Sequence, residues 1–187
     1  ANAFLPGAPP KKAEAQMRAL AEQIDGLDAG VVVVSSENFE SSDPVTLAAA
    51  VDRVLAPRAG RIRLIAYVRP HIERVVSSWA ERIKLGLFHR PLDAYIERTG
   101  QNGRFLYHDR LQRWRTAFGT AFTVRPMIRA ELLDNDVVND FLAFAFDGRD
   151  FRLTAPVLAN ESLSLRHLAL LAAVHRAFAR EQAAPSP

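Results

Sequence analysis

Between residues 61 and 79 the chain reads Arg-Ile-Arg-Leu-Ile-Ala-Tyr-Val-Arg-Pro-His-Ile-Glu-Arg-Val-Val-Ser-Ser-Trp, and no other segment restricts the fold as tightly. Apart from Arg63, residues 62–68 are apolar or aromatic without the strict alternation of a one-sided strand, as expected of a strand covered on both faces. Pro70 follows at a position suited to opening a helix. Ile72, Val75, Val76, Trp79 and Ile83 then recur at helical spacing, so 70–87 is expected to be an amphipathic helix. A buried strand that leads straight into a helix is the start of a crossover connection, the signature of a parallel sheet.

The rest of the chain repeats that alternation. Met17, Leu20, Ala21 and Ile24 place a helix over 11–24, and the β-branched run 31–34 is expected to be a buried strand. Asp43 caps and Pro44 opens a helix through 55, which Pro57 and Gly60 stop. Further helices are expected at 91–96, at 109–118 with Leu111, Trp114 and Phe118 inward, and at 137–146 behind Asp136. The last spans 163–180 with Leu165, Leu168, Leu171, Ala172 and Val174 inward. A third strand is expected at 122–127, with loops at 100–103 and 148–160. No Asn-Gly turn joins one of these strands directly to the next. The expected fold is therefore α/β, three-layered, a mostly parallel sheet flanked by helices. It forms one domain over 1–187, with a flexible lead at 1–10 and a tail at 181–187.

Composition narrows the chemistry. The chain has no cysteine, which excludes disulfides, thiolate nucleophiles and cysteine metal sites. No apolar run reaches the length needed to cross a bilayer, and the first residues lack the layout of a signal peptide, as expected of a cytoplasmic protein. The net charge is +3, with lysine only at positions 11, 12 and 84. The basic set is therefore arginine, which suits phosphate or sulfate recognition but also follows from arginine-rich codon usage. Charge is spread among acids rather than pooled, and no helix-turn-helix, zinc or ribonucleoprotein motif is present, so nucleic acid is not an expected partner.

In open parallel sheets ligands bind beyond the carboxyl ends of the strands. Three polar groups map there: Ser35, Ser36 and Glu37 after the first strand, Arg69 with Ser77 after the second, and residues 125–129 around the third. A strand end that becomes a helix N-terminus offers backbone N–H groups and a positive dipole end, and Arg69 adds a planar fork suited to oxyanions. An ion pair from Arg69 to Glu73, one turn on, accounts for the arginine equally well. Ser35 and Ser36 read on their own as turn and cap residues.

Arg69, Pro70, Glu73, Arg74 and Ser77 resemble the 3′-phosphate motif of sulfotransferases that use 3′-phosphoadenosine-5′-phosphosulfate (PAPS). Residues 31–39, the Tyr-Val-Arg-Pro strand end, residues 107–119 and the Asn-Glu-Ser-Leu-Ser run at 160–164 are similar to the bacterial branch of that family. The resemblance implies a P-loop nucleotide-binding type of fold. It implies that Arg69 and Ser77 hold the 3′-phosphate of PAPS or of its product PAP, and that sulfuryl passes to a hydroxyl or amine, for example on a saccharide, without a metal. Glu37 is then the candidate general base, with His71 the weaker alternative and His108 behind it.

One element of that family is missing. No strand leads into a Lys-Gly-Thr type of turn that would hold the 5′-phosphosulfate; Lys11 and Lys12 follow Pro9 and Pro10 with no strand before them. The chain starts on Ala, and its sheet is one strand short of the family pattern, so the expectation is that an N-terminal part of the gene product precedes it. The alternative is a degenerate, non-catalytic member of the fold that binds nucleotides or polyanions. The acceptor lies with variable loops such as 87–91 and 148–156, and neither the acceptor nor the oligomeric state is legible.

Overall fold

The structure, a computed structural model, describes residues 4–5, 10–101, 103, 105–153 and 163–183. In chain order the elements are α1 (Pro10–Asp25), α2 (Pro44–Ala50), β1 (Leu64–Val68), α3 (His71–Lys84), α4 (Leu92–Gly100), α5 (Tyr107–Phe118), β2 (Phe122–Pro126), α6 (Val137–Ala145) and α7 (Leu165–Ala183). They form two compact units. The first holds α1, α2, β1, α5, β2 and α6; the second holds α3, α4 and α7.

Unit 1 is built on a sheet of two parallel strands, with Leu64 opposite Phe122 and Tyr67 opposite Arg125. The alternation of side chains gives each strand two different faces. Leu64, Ala66, Phe122 and Val124 pack into a core with Met17 and Ala21 of α1, Leu47 of α2 and Trp114 of α5. Trp114 stacks on Phe118 and tilts over Phe122, with ring centroids 5.5 and 5.7 Å apart. The other face carries Arg63, Tyr67 and Arg125, and all three reach α6 or the turn behind it. Helical elements thus contact both faces of a parallel sheet, the α/β arrangement expected of the sequence.

Capping residues fix the helix starts. Asp43 accepts from the Thr46 amide at 3.0 Å and the Thr46 hydroxyl at 2.7 Å, with Pro44 at the first helical position of α2. Asp136 accepts from the amides of Val138 and Asn139 at the start of α6. Each supplies partners for helix donors that otherwise have none. Residues 51–55 extend α2 as a π-helical turn.

Unit 2 closes around Ile83, which is fully buried, with Trp79, Phe88, Tyr95, Leu168 and Ala172. Two polar groups inside it are partnered, the Trp79 indole donating to the Arg90 carbonyl at 3.1 Å and the Ser78 and Tyr95 hydroxyls lying 2.7 Å apart, whereas the buried His175 Nδ1 has no hydrogen-bond partner among the described residues. Helix α3 stops at Gly86, whose φ of +68° is the left-handed conformation that glycine adopts without steric cost.

Several expectations are corrected. Residues 31–34 do not form a strand: they have no ladder partner, and Val32, Val33 and Val34 are 40–47% exposed. The β-branched run favours extended backbone, but a strand also needs a neighbour. The sheet accordingly has two strands rather than three. Helix α4 runs to Gly100, beyond the expected end at 96, because Thr99 bonds back to the Tyr95 carbonyl at 2.7 Å and keeps the last turn wound. Ile72, expected inside, is 80% exposed in the first turn of α3. Leu165 and Val174 of α7 also face outward, while Leu168 and Ala172 carry the buried face. Of the loop expected at 148–160, residues 154–160 lie outside the described residues, as do residues 161 and 162, most of 1–10 and the end of the tail.

Candidate functional site

The β1–α3 junction is as local as the sequence suggests. Strand β1 ends at Val68; Pro70, with φ −50° and ψ 144°, turns the chain; α3 begins at His71. The first bond of the new helix runs from the Arg74 amide to the Pro70 carbonyl at 2.9 Å. Pro70 supplies no side-chain cap, so the positive end of the α3 dipole is not neutralised by a capping oxygen from that position.

Arg69 precedes this turn, and Ser77 lies two turns into α3. Positions 73 and 77 share one side of the helix, so an extended arginine running along that side reaches the serine. The Arg69 Nη1 donates to the Ser77 Oγ at 3.2 Å. Arg69 is exposed and Ser77 half-buried. The pair combines a fixed positive charge with a hydroxyl whose own proton is left to donate outward. A guanidinium and a hydroxyl thus stand together near a helix N-terminus, groups whose chemistry suits an oxyanion.

The other candidates are more scattered. His71 is the exposed first residue of α3, close in sequence to Arg69. Glu37 belongs to unit 1, where it opens a single 3-10 turn (Glu37–Ser41) capped by Ser36 and is exposed. His108 is exposed on α5. The segment after Glu37 is clamped to α5 by ion pairs, Arg110 to Glu40 at 2.5 Å and Arg113 to Asp43 at 2.6 Å. Among the described residues no three His, Asp or Glu side chains gather as a metal site, and no helix is long and apolar enough to cross a membrane.

The sequence reading missed one cluster. Asp140, on α6 and 5% exposed, accepts from the Tyr67 hydroxyl at 2.5 Å, from Arg125 Nη1 at 2.5 Å and from the Leu133 amide at 3.2 Å. Burial pushes the Asp140 carboxyl up, but the hydrogen bonds from Tyr67 and Arg125, the Leu133 amide and the Arg125 charge outweigh it and hold it below the usual carboxylate range. The Tyr67 phenol is pushed up by burial and by the neighbouring carboxylate. The available signal was an aspartate within the apolar Val-Val-Asn-Asp-Phe-Leu-Ala-Phe stretch, since a lone acid on such a helix needs a buried partner.

The chain matches no protein-family model, no curated protein and no solved structure.

Proposed function

We propose that the chain binds the 3′-phosphate end of a 3′-phosphorylated adenine nucleotide, PAPS or PAP, and belongs to a sulfotransferase-like class with a P-loop type of fold. The observation that carries this reading is the Arg69–Ser77 hydrogen bond at 3.2 Å across the β1–α3 junction. It supports a two-pronged grip in which the guanidinium and the hydroxyl each donate to one phosphate, beside the helix N-terminus.

The reaction such a grip serves is sulfuryl transfer to a hydroxyl or amine, with a saccharide as one acceptor class. Transfer also needs backbone amides and a lysine around the 5′-phosphosulfate. The residues of this sequence contain no such turn, so the function we assign to them is donor binding; Glu37 or His71 would act as base only in a protein that holds that turn as well.

Thermal-shift or calorimetric titration with adenosine 3′,5′-bisphosphate and with 5′-AMP tests the reading. Stabilisation by the bisphosphate alone, abolished in Arg69→Ala and weakened in Ser77→Ala, is expected. An equal response to both nucleotides, or a bisphosphate response that survives Arg69→Ala, overturns it.

A further inference from the structure

A second arginine is held in place within unit 1. Arg125 is the fourth residue of β2, directly opposite Tyr67 in the parallel register, near the carboxyl end of both strands. The ladder closes just beyond it, where the Met127 amide donates to the Val68 carbonyl at 2.8 Å. Its Nη1 is fixed on Asp140 at 2.5 Å, and its guanidinium carbon lies 5.8 Å from the centroid of the Phe144 ring. Asp140 is itself immobilised by Tyr67 and the Leu133 amide. The Arg125 side chain is nevertheless 38% exposed, against 6% for that of Asp140.

These contacts use one edge of the fork. Among the described residues, the Nε and Nη2 groups of Arg125 have no protein acceptor. An arginine pinned on one side by a buried carboxylate, with its remaining donors turned outward, has lost its rotamer entropy before a ligand arrives. Asp140 is the carboxylate at the site, and three donors already converge on it from the inner side. The surrounding charge also favours an anion: among the described residues the ion pairs of Arg61, Arg63 and Arg125 are with Asp140 and Asp147, three cations to two carboxylates. Arg63 lies over the same Phe144 ring at 4.6 Å.

We propose that Arg125 is an anion-binding residue at the carboxyl end of the sheet, whose ligand is a tetrahedral oxyanion group, phosphate or sulfate. Asp140 and Tyr67 are its positioning residues. The proposal is independent of the nucleotide reading, because every residue it uses lies in unit 1 and Arg69 does not.

The test is titration of the full chain with sodium sulfate and, separately, with sodium phosphate at constant ionic strength, following arginine Nε–H resonances and the melting temperature. The Arg125 resonance, identified by its loss in Arg125→Lys, is expected to shift saturably with at least one of the two anions, and the stronger response names the group. The shift persists in Arg69→Ala. The anion-dependent rise in melting temperature falls by more than half in Arg125→Lys, which keeps the charge but not the fork. Asp140→Asn, retaining shape and one acceptor, weakens the apparent affinity several-fold while the chain stays folded by its amide spectrum. An Arg125 resonance that neither anion moves, or an Arg125→Lys chain that responds as the parent does, overturns the proposal. If Asp140→Asn does not fold, the Arg125→Lys comparison alone decides.

Discussion

Asp140 and Arg69 sit near opposite ends of one scale. Asp140 is buried in unit 1, with donors from a strand residue on each of β1 and β2 and from a backbone amide. Arg69 is exposed in unit 2 and meets a serine of the helix that follows it. A buried charge that is fully hydrogen-bonded holds elements together, and removing its partners leaves groups that water cannot reach. The bond from an exposed guanidinium to a neutral hydroxyl adds little to stability. On the function proposed above, the difference separates where the fold is fastened from where a ligand would be gripped.

The sharpest way to break that contrast is Asp140→Ala. It strands the Tyr67 hydroxyl and the Arg125 guanidinium, and we expect a loss of about 3 kcal/mol in denaturant unfolding. That is the low end for breaking a buried pair, because Arg125 is able to turn toward water. A loss below about 1 kcal/mol, the size of an ordinary exposed interaction, means that Asp140 is not a fastening at all.

Acid supplies a second probe of the same group. The folded carboxyl titrates below its unfolded value, so its contribution is fully present above the unfolded pKa, near 4, and is lost as pH falls through the lower folded value. The stability difference between the parent chain and Asp140→Asn should therefore be constant at neutral pH and shrink on acidification below about pH 4. A difference that widens in acid contradicts the sign of the shift.

The two ends of the scale were not equally visible in the sequence. Arg69 and Ser77 are eight residues apart, and one strand end, one proline and one helical face suffice to bring them together. Tyr67 and Asp140 are separated by 73 residues, and their meeting depends on the register of β1 with β2 and on the docking of α6. No local pattern encodes either. The same divide runs through the fold. Helix positions followed from apolar spacing and from caps such as Asp43 and Asp136. The 31–34 run failed as a strand because its valines specify backbone shape but not a pairing partner. Ile72 and Val174 carry core-type spacing yet stay exposed, because spacing places a residue on a helix face without saying what packs there. The boundary between the two units falls between Val68 and Arg69, inside the segment that reads as one continuous strand-to-helix passage.

Asp43 gives the scale a midpoint. Its side chain is 18% exposed, caps α2 and pairs with Arg113 at 2.6 Å. The Thr46 hydroxyl leads in holding its carboxyl below the usual range, against the opposing effect of burial. Asp43→Ala is expected to cost about 1 kcal/mol, the usual value of an N-cap, as read from the denaturation midpoint. Arg113→Ala, at a position 59% exposed, should cost less than about half of that. A cost for Asp43→Ala matching that of Asp140→Ala removes burial as the variable that orders the series.

Ser77→Ala is expected to have the smallest effect on stability and the most informative one on function. The half-buried hydroxyl accepts one bond from an exposed arginine, so its removal should change unfolding free energy by less than about 0.5 kcal/mol. Alanine is also the better helix former, which offsets part of even that loss. Binding responds differently, because the alanine chain lacks both the hydroxyl donor and the contact that steers the Arg69 fork along α3. Titration with adenosine 3′,5′-bisphosphate should weaken by about tenfold, the equivalent of one charge-assisted hydrogen bond at about 1.4 kcal/mol. A Ser77→Ala chain that loses stability in proportion to binding places the pair with the fastenings. One that keeps its stability and loses the nucleotide makes the β1–α3 junction a grip.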